Sequence, residues 1–232
     1  MSRPRALDLF CGAGGAAMGL YRAGFDVVGV DIKPQPRYPF AFVRGDALRP
    51  PFDLAGFDLI WASPPCQEYV NAGLRALAAK NRRPDTPRKP MLIEPVRAML
   101  AASGASFTAI ENVPSAPLRP DLLLDGDMFG LNTFRQRVFE LSFFALQSRP
   151  NVRFGPESRP GAVTLAGRGS GERAFYDNGR LRRCRAGNKS SWSAAIGVDW
   201  MTRDELREAI PPAYSEFIGR AALAQLRTER AA

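Results

Sequence analysis

Cys66 stands directly after Pro64-Pro65, just beyond the apolar run FDLIWA (57–62). Two prolines stiffen the chain and remove two backbone donors, so they give this cysteine a fixed exit from a strand end, where a nucleophile is useful. Glu111-Asn112 closes a second apolar run, FTAIE (107–111), and Arg135 and Arg137 flank the start of a third, RVFELSFF (137–144). Each group has an ordinary account by itself. A lone cysteine packs as a small hydrophobe, a strand-end acid is solvated or caps a helix, and arginines sit on surfaces. A thiol, a carboxyl and guanidinium groups at three strand ends form an arrangement more informative than each residue alone.

The chain has no histidine. That excludes a Cys-His dyad and a Ser-His-Asp triad, and it removes the commonest catalytic metal ligand. The other two cysteines, Cys11 and Cys184, share no metal-type spacing with Cys66 and read as packing residues, so no metal is expected.

A second constellation lies near the start. The segment DLFCGAGG (8–15) follows a short apolar run and precedes a helical pattern. Such a glycine-rich turn lets a ligand approach the backbone at a helix N-terminus, although a tight turn in a packed sheet has the same composition. Two acids refine the reading. Asp31 ends the next strand, where a carboxylate can accept both hydroxyls of a ribose, and Asp46 ends the one after, where it can meet an adenine amino group. No Gly-Lys-Ser/Thr comes next, which argues against a P-loop.

These residues need a parallel sheet to bring them together. Strands are expected over 6–10, FDVVGVD (25–31), a run ending before Gly45, 57–62, 107–111 and 137–144, with helices over 16–23 and 88–102. Strand, glycine turn, helix and acid-tipped strand make the first unit of a parallel α/β sheet. Thr202 with Glu205 is a capping box opening a helix, and Pro211-Pro212 opens a last one over 213–227. Between 149 and 191 the chain is rich in Gly, Arg, Ser and Asn and reads as a small loop-rich lobe. The expected organisation is 1–147 catalytic and cofactor-binding, 148–195 a basic lobe, and 196–232 helices returning to the first unit.

The chain has 232 residues and a net charge of +9, a balance that favours polyanionic partners. The charge is uneven. Residues 149–189 carry nine arginines and one lysine against three acids, and 75–97 carry seven basic residues against two acids. No stretch offers 18 uncharged apolar residues, and the start reads as a strand. Neither a membrane span nor a signal peptide is expected, which makes the cytoplasm or nucleoid the default location. Nothing in the sequence specifies an oligomeric state.

DLFCGAGG, SPPCQ (63–67), ENV (111–113) and RQR (135–137), in this order, resemble the cytosine-C5 DNA methyltransferases. The likeness spans roughly 5–145, with a further match in IPPAYSEFIG (210–219), and the compact form resembles members carried by phages or mobile elements. It implies a Rossmann-like S-adenosylmethionine-dependent methyltransferase sheet with a small recognition lobe. It also implies roles. Phe10 would lie against the cofactor adenine, Gly12 and Gly14 would shape the methionine-side turn, Asp31 would hold the ribose, Asp46 would read the adenine, and Pro65 would line the pocket. Cys66 would be the nucleophile, Glu111 would protonate the cytosine ring at N3, and Arg137, supported by Arg135, would hold the base.

The implied reaction moves a methyl group from S-adenosylmethionine to carbon 5 of a cytosine flipped out of double-stranded DNA. Lys80, Arg82, Arg83, Arg88 and Lys89 would contact DNA from the loop after SPPCQ. Arg168, Arg173, Arg180, Arg182, Arg183 and Arg185 would do so from the lobe, chiefly at phosphates. The alternatives are an RNA cytosine-C5 methyltransferase and an idle DNA-binding protein of the same fold. The chain departs from the family pattern in reading Gln67-Glu68-Tyr69-Val70 after the cysteine, in its short recognition region, and in having Pro211-Pro212-Ala213 where the family carries a cofactor contact.

Overall fold

The computed structural model describes residues 2–69, 90–146, 163–165, 172–177 and 180–231. Its centre is a seven-stranded sheet in the order β3-β2-β1-β4-β5-β7-β6. The strands are β1 (Arg5–Leu9), β2 (Asp26–Asp31), β3 (Ala41–Arg44), β4 (Leu59–Ala62), β5 (Phe107–Asn112), β6 (Leu122–Leu124) and β7 (Arg137–Leu141). The first five pair in parallel, and β7 runs antiparallel to both β5 and β6. The chain winds outward from β1 through β2 to β3, then returns to the other side of β1 as β4. The sheet therefore reverses direction between β1 and β4, and the crevice beyond their carboxyl ends is where such folds bind ligands.

Both faces of the sheet are covered, so alternate residues of one strand enter different cores. Ala6, Leu59 and Trp61 pack with Leu20, Tyr214, Ile218 and Leu226 on one face. Leu7, Leu9, Ile60 and Ala62 pack with Ile93, Val96 and Leu100 on the other. The first face belongs to α1 (Gly15–Ala23) and to the 20-residue C-terminal helix, the second to α2 (Ile93–Ala101). The helix expected over 88–102 thus begins at Ile93; Pro90 disfavours helical backbone just before it, while Pro95 sits in the first turn, where its missing N–H costs nothing.

Three helices complete the chain: α3 (Lys189–Ile196), α4 (Arg203–Glu208) and α5 (Pro212–Ala231). The box at Thr202 forms as expected, with the Thr202 hydroxyl accepting from the Glu205 N–H and Glu205 reaching back to the Thr202 N–H. Pro212 opens α5. The segment expected to be loop-rich contains a second, three-stranded sheet, β8-β10-β9, formed by Val163–Thr164, Arg180–Ala186 and Glu172–Asp177. Thr133 ties it to the rest by donating its hydroxyl to the Val163 carbonyl at 3.0 Å. Strand β7 ends at Leu141, three residues short of the expected run, because Ser142 turns to exchange hydrogen bonds with Thr108. No helix among the described residues is long and apolar enough to cross a membrane.

Candidate active site

Parallel register aligns the ends of β4 and β5, with Ala62 opposite Ile110. The segments leaving the two strands therefore run side by side. The Asn112 amide donates to the Pro64 carbonyl at 2.9 Å, and the Asn112 side-chain oxygen accepts from the Val113 N–H. A fully buried amide so placed clamps the Pro64-Pro65 turn to β5. The turn continues to Cys66, whose carbonyl accepts from the Tyr69 N–H at 2.8 Å. Cys66 is half-buried with a free thiol, and Pro65 beside it is likewise partly exposed.

Glu111 and Arg137 form a buried ion pair, Arg137 Nε to Glu111 Oε1 at 2.8 Å. Burial raises the Glu111 pKa; the Arg137 and Arg135 charges and a hydrogen bond with Ser63 oppose that rise without cancelling it. Burial likewise pushes the Cys66 thiol up. The Arg137 charge pulls it down, Glu111 pushes it up again, and Arg135 adds a smaller pull. The four groups singled out by their strand-end positions, Cys66, Glu111, Arg135 and Arg137, are thus in mutual electrostatic reach. Removing either partner of so buried a pair would strand a charge at a cost of about 3–5 kcal/mol.

Arg135 differs from a surface arginine. It is 7% exposed, donates one nitrogen to the Arg207 carbonyl at 2.8 Å, and keeps its Nε without a hydrogen-bond partner. Burial, then the neighbouring Arg137 charge, holds its pKa below the usual arginine range. Its backbone is fixed on both sides. The Tyr214 hydroxyl donates to its carbonyl at 2.9 Å, and its N–H is directed at Asp125.

One strand away, the turn after β1 takes unusual backbone angles. Phe10 has φ 57°, Gly12 49° and Gly14 84°. Phe10 is the one non-glycine among the described residues at positive φ, a strain that persists where the surroundings enforce it. The Gly12 N–H donates to Asp31 Oδ2 at 3.1 Å and the Lys33 N–H to Oδ1 at 2.9 Å. Each oxygen keeps a further acceptor site. The Gly45 N–H donates to the Asp31 carbonyl, which sets Asp46 next to it at the end of β3. A Cβ at Gly12 would meet nothing within 4 Å, whereas one at Gly14 would strike Pro39 at 2.7 Å and one at Gly15 the Ile210 carbonyl at 2.4 Å. The turn is closed on its flanks and open at Gly12.

Two participants carried no clear signal in the sequence. Asp8 lies fully buried beneath the turn, with Oδ1 unpartnered and the Tyr38 hydroxyl 3.5 Å from Oδ2. Trp200 donates its indole N–H to the Ala13 carbonyl at 2.8 Å from 187 residues away, a link that no local pattern announces. Lys80, Arg82, Arg83, Arg88, Lys89 and Arg168 lie outside the described residues. Arg173 falls on β9 and Arg180, Arg182, Arg183 and Arg185 on β10, with Arg173 opposite Cys184.

The model of the C-5 cytosine-specific DNA methylases matches residues 5–117. Those residues, just under half of the chain, carry its similarity to that family. A curated relative, the Type II methyltransferase M.XorII of Xanthomonas oryzae pv. oryzae, is 38% identical over 97 residues. That match takes in 33% of this chain and 22% of the relative's length. Among solved structures, the Dnmt2 methyltransferase of S. pombe is similar with a TM-score of 0.58 at 15% identity, over 97% of this chain and 99% of that one. The Entamoeba histolytica methyltransferase EhMeth gives 0.55 at 12% identity with the same coverage. A prophage-encoded E. coli protein assigned as a DNA modification methyltransferase gives 0.57 at 14% identity, again over 97% and 99%.

The fold is that of the S-adenosylmethionine-dependent methyltransferases. The residues of this chain suit S-adenosyl-L-methionine as a ligand. An open glycine, two carboxylates at the ends of β2 and β3, and the N-terminus of α1 lie at or beyond the carboxyl ends of neighbouring parallel strands, as Pro65 and Cys66 do after β4.

Proposed function

We propose that this methyltransferase methylates carbon 5 of cytosine in a polynucleotide, with Cys66 as covalent nucleophile and the target base turned out of its stack. The observation that supports it best is the Glu111–Arg137 pair beside the Cys66 thiol, one strand from the glycine turn. Phe10, Gly12, Gly14, Asp31, Asp46 and Pro65 would hold S-adenosylmethionine, whose sulfonium supplies the methyl group.

The protein's own groups account for the rest. Carbon 5 of cytosine is a weak nucleophile until a thiolate adds at carbon 6. Without histidine, Cys66 reaches the thiolate through the nearby Arg137 and Arg135 charges, working against burial. Glu111, with its raised pKa, delivers a proton to ring N3 as the adduct forms, and Arg137 keeps the carboxyl aimed. Once carbon 5 carries the methyl group, loss of its proton, departure of Cys66 as thiolate and return of the N3 proton to Glu111 restore the aromatic ring.

Duplex DNA and RNA share every one of these steps. The small basic lobe favours a substrate whose cytosine already lies unstacked in an RNA loop, since extruding a paired base from a duplex costs a few kcal/mol of contacts elsewhere. Labelled methyl transfer to duplex DNA and to folded RNA, side by side, tests the reading. Label at carbon 5 of cytosine in either polymer supports it, and the better polymer names the substrate. Tight binding of both without transfer at saturating cofactor would instead fit an idle binding protein.

A further inference from the structure

The peptide joining Ala13 to Gly14 is the hinge of the cofactor turn. A flip of this peptide turns ψ of Ala13 and φ of Gly14, and Gly14, at φ 84°, has the broad conformational range that makes such a flip inexpensive on its side. Its N–H donates to the Cys11 carbonyl at 3.0 Å inside the turn. Its carbonyl points the opposite way and accepts the Trp200 indole N–H at 2.8 Å. Both ends of one peptide plane are therefore held, and only the second hold comes from a distant segment.

That segment is itself well anchored. Ala13, buried, packs into one cluster with Trp192, Met201 and Leu206, and Trp200 lies against it partly exposed. Glu205 accepts from Arg37 at 2.8 and 3.1 Å while completing the Thr202 box, joining the segment to the loop whose Pro39 closes the Gly14 side. The Arg207 carbonyl receives Arg135.

We infer that Trp200 is a positioning residue for S-adenosylmethionine: its indole N–H locks the Ala13–Gly14 peptide in the orientation that leaves the turn open at Gly12. The inference rests on the cofactor assignment and adds to it a residue of the C-terminal segment. Loss of the hydrogen bond frees the peptide to flip and leaves a buried carbonyl unpaired, which corresponds to binding weakened by about tenfold.

The test uses S-adenosylhomocysteine as probe, with binding rather than turnover as readout. In calorimetry, Trp200→Phe raises the dissociation constant about tenfold while thermal unfolding stays a single transition. In the wild type labelled with 5-fluorotryptophan there are three tryptophans. Trp61 and Trp192 are fully buried, so the fluorine signal that shifts between light and heavy water belongs to Trp200. That signal moves as the probe saturates the protein. If the Trp200→Phe variant binds the probe as the wild type does, or the Trp200 signal stays still at saturation, Trp200 has no such role. Should the variant fail to fold, the wild-type fluorine signal decides alone. A wild type that binds no probe overturns the cofactor assignment itself, and this inference with it.

Discussion

Asp8 is the carboxyl most out of place in its surroundings. It lies on the α1 face of β1 among apolar residues, and burial first, then the Asp31 charge, push its pKa up to about 8. A carboxyl whose pKa is higher folded than unfolded favours the folded chain most in acid. That contribution is fully present below the ordinary value near 3.8 and is lost as pH rises through about 8. Unfolding free energy should therefore decline between about pH 4 and about pH 8, and urea titrations across that range should show a flatter decline in Asp8→Asn. An unchanged slope in the variant would assign the pH dependence to other groups. Glu111 carries the other residue-scale prediction. In the proposed mechanism Glu111→Gln removes the proton that N3 needs, so the single-turnover methylation rate should fall by about 10²–10⁴-fold, while affinity for S-adenosylhomocysteine stays within about twofold because the cofactor turn is untouched.

At the scale of elements, the closest approach is between α1 and α5. A Cβ on Gly19 would fall 2.1 Å from the Pro212 carbonyl and from Ser215 Oγ, and one on Gly219 would fall 2.9 Å from the Ala23 Cβ. Backbone cannot yield as a side chain can, so Gly19→Ala forces the helices apart. The expected loss is about 1–3 kcal/mol, read as a lower midpoint in thermal unfolding with methylation retained. These contacts also mark what local sequence reveals. The parallel strands, the glycine turn and the Thr202 box were legible because periodicity and capping are written within a few residues. Strand β6, three residues long, is too short to show a period. Helix α3 depends on Asn188 accepting from the Ser191 N–H, a cap hidden in a stretch whose composition suggested only loop. The β9–β10 pairing carried a signal in Asn178-Gly179, a favoured hairpin pair, that compositional bias obscured. At the site, the strand-end residues were visible one by one. Their burial was not: Arg135 reads as a surface arginine until Arg207 and Tyr214, far along the chain, enclose it.

For the whole molecule, the net charge of +9 is concentrated in the segments 75–97 and 149–189, while Arg137 of the candidate site is paired with Glu111. Affinity for polynucleotide should therefore be mostly electrostatic and fall steeply with salt. Replacing Arg180, Arg182, Arg183 and Arg185 together by Ser should reduce the slope of log affinity against log salt by about 0.7–0.9 for each phosphate that those arginines neutralise. Affinity for S-adenosylhomocysteine should not change. A variant that keeps the wild-type slope would move the nucleic-acid surface off this sheet.

The proposed mechanism turns on one bond, between Cys66 sulfur and carbon 6 of the target cytosine. A polynucleotide carrying 5-fluorocytosine lets that bond form and the methyl arrive, yet offers no proton at carbon 5 to lose, so the adduct cannot resolve. With cofactor present, the wild type should give a species of protein joined to nucleic acid that survives denaturing electrophoresis, and Cys66→Ala should give none. No adduct from a wild type shown to bind both ligands, or an adduct that persists in Cys66→Ala, would contradict the mechanism.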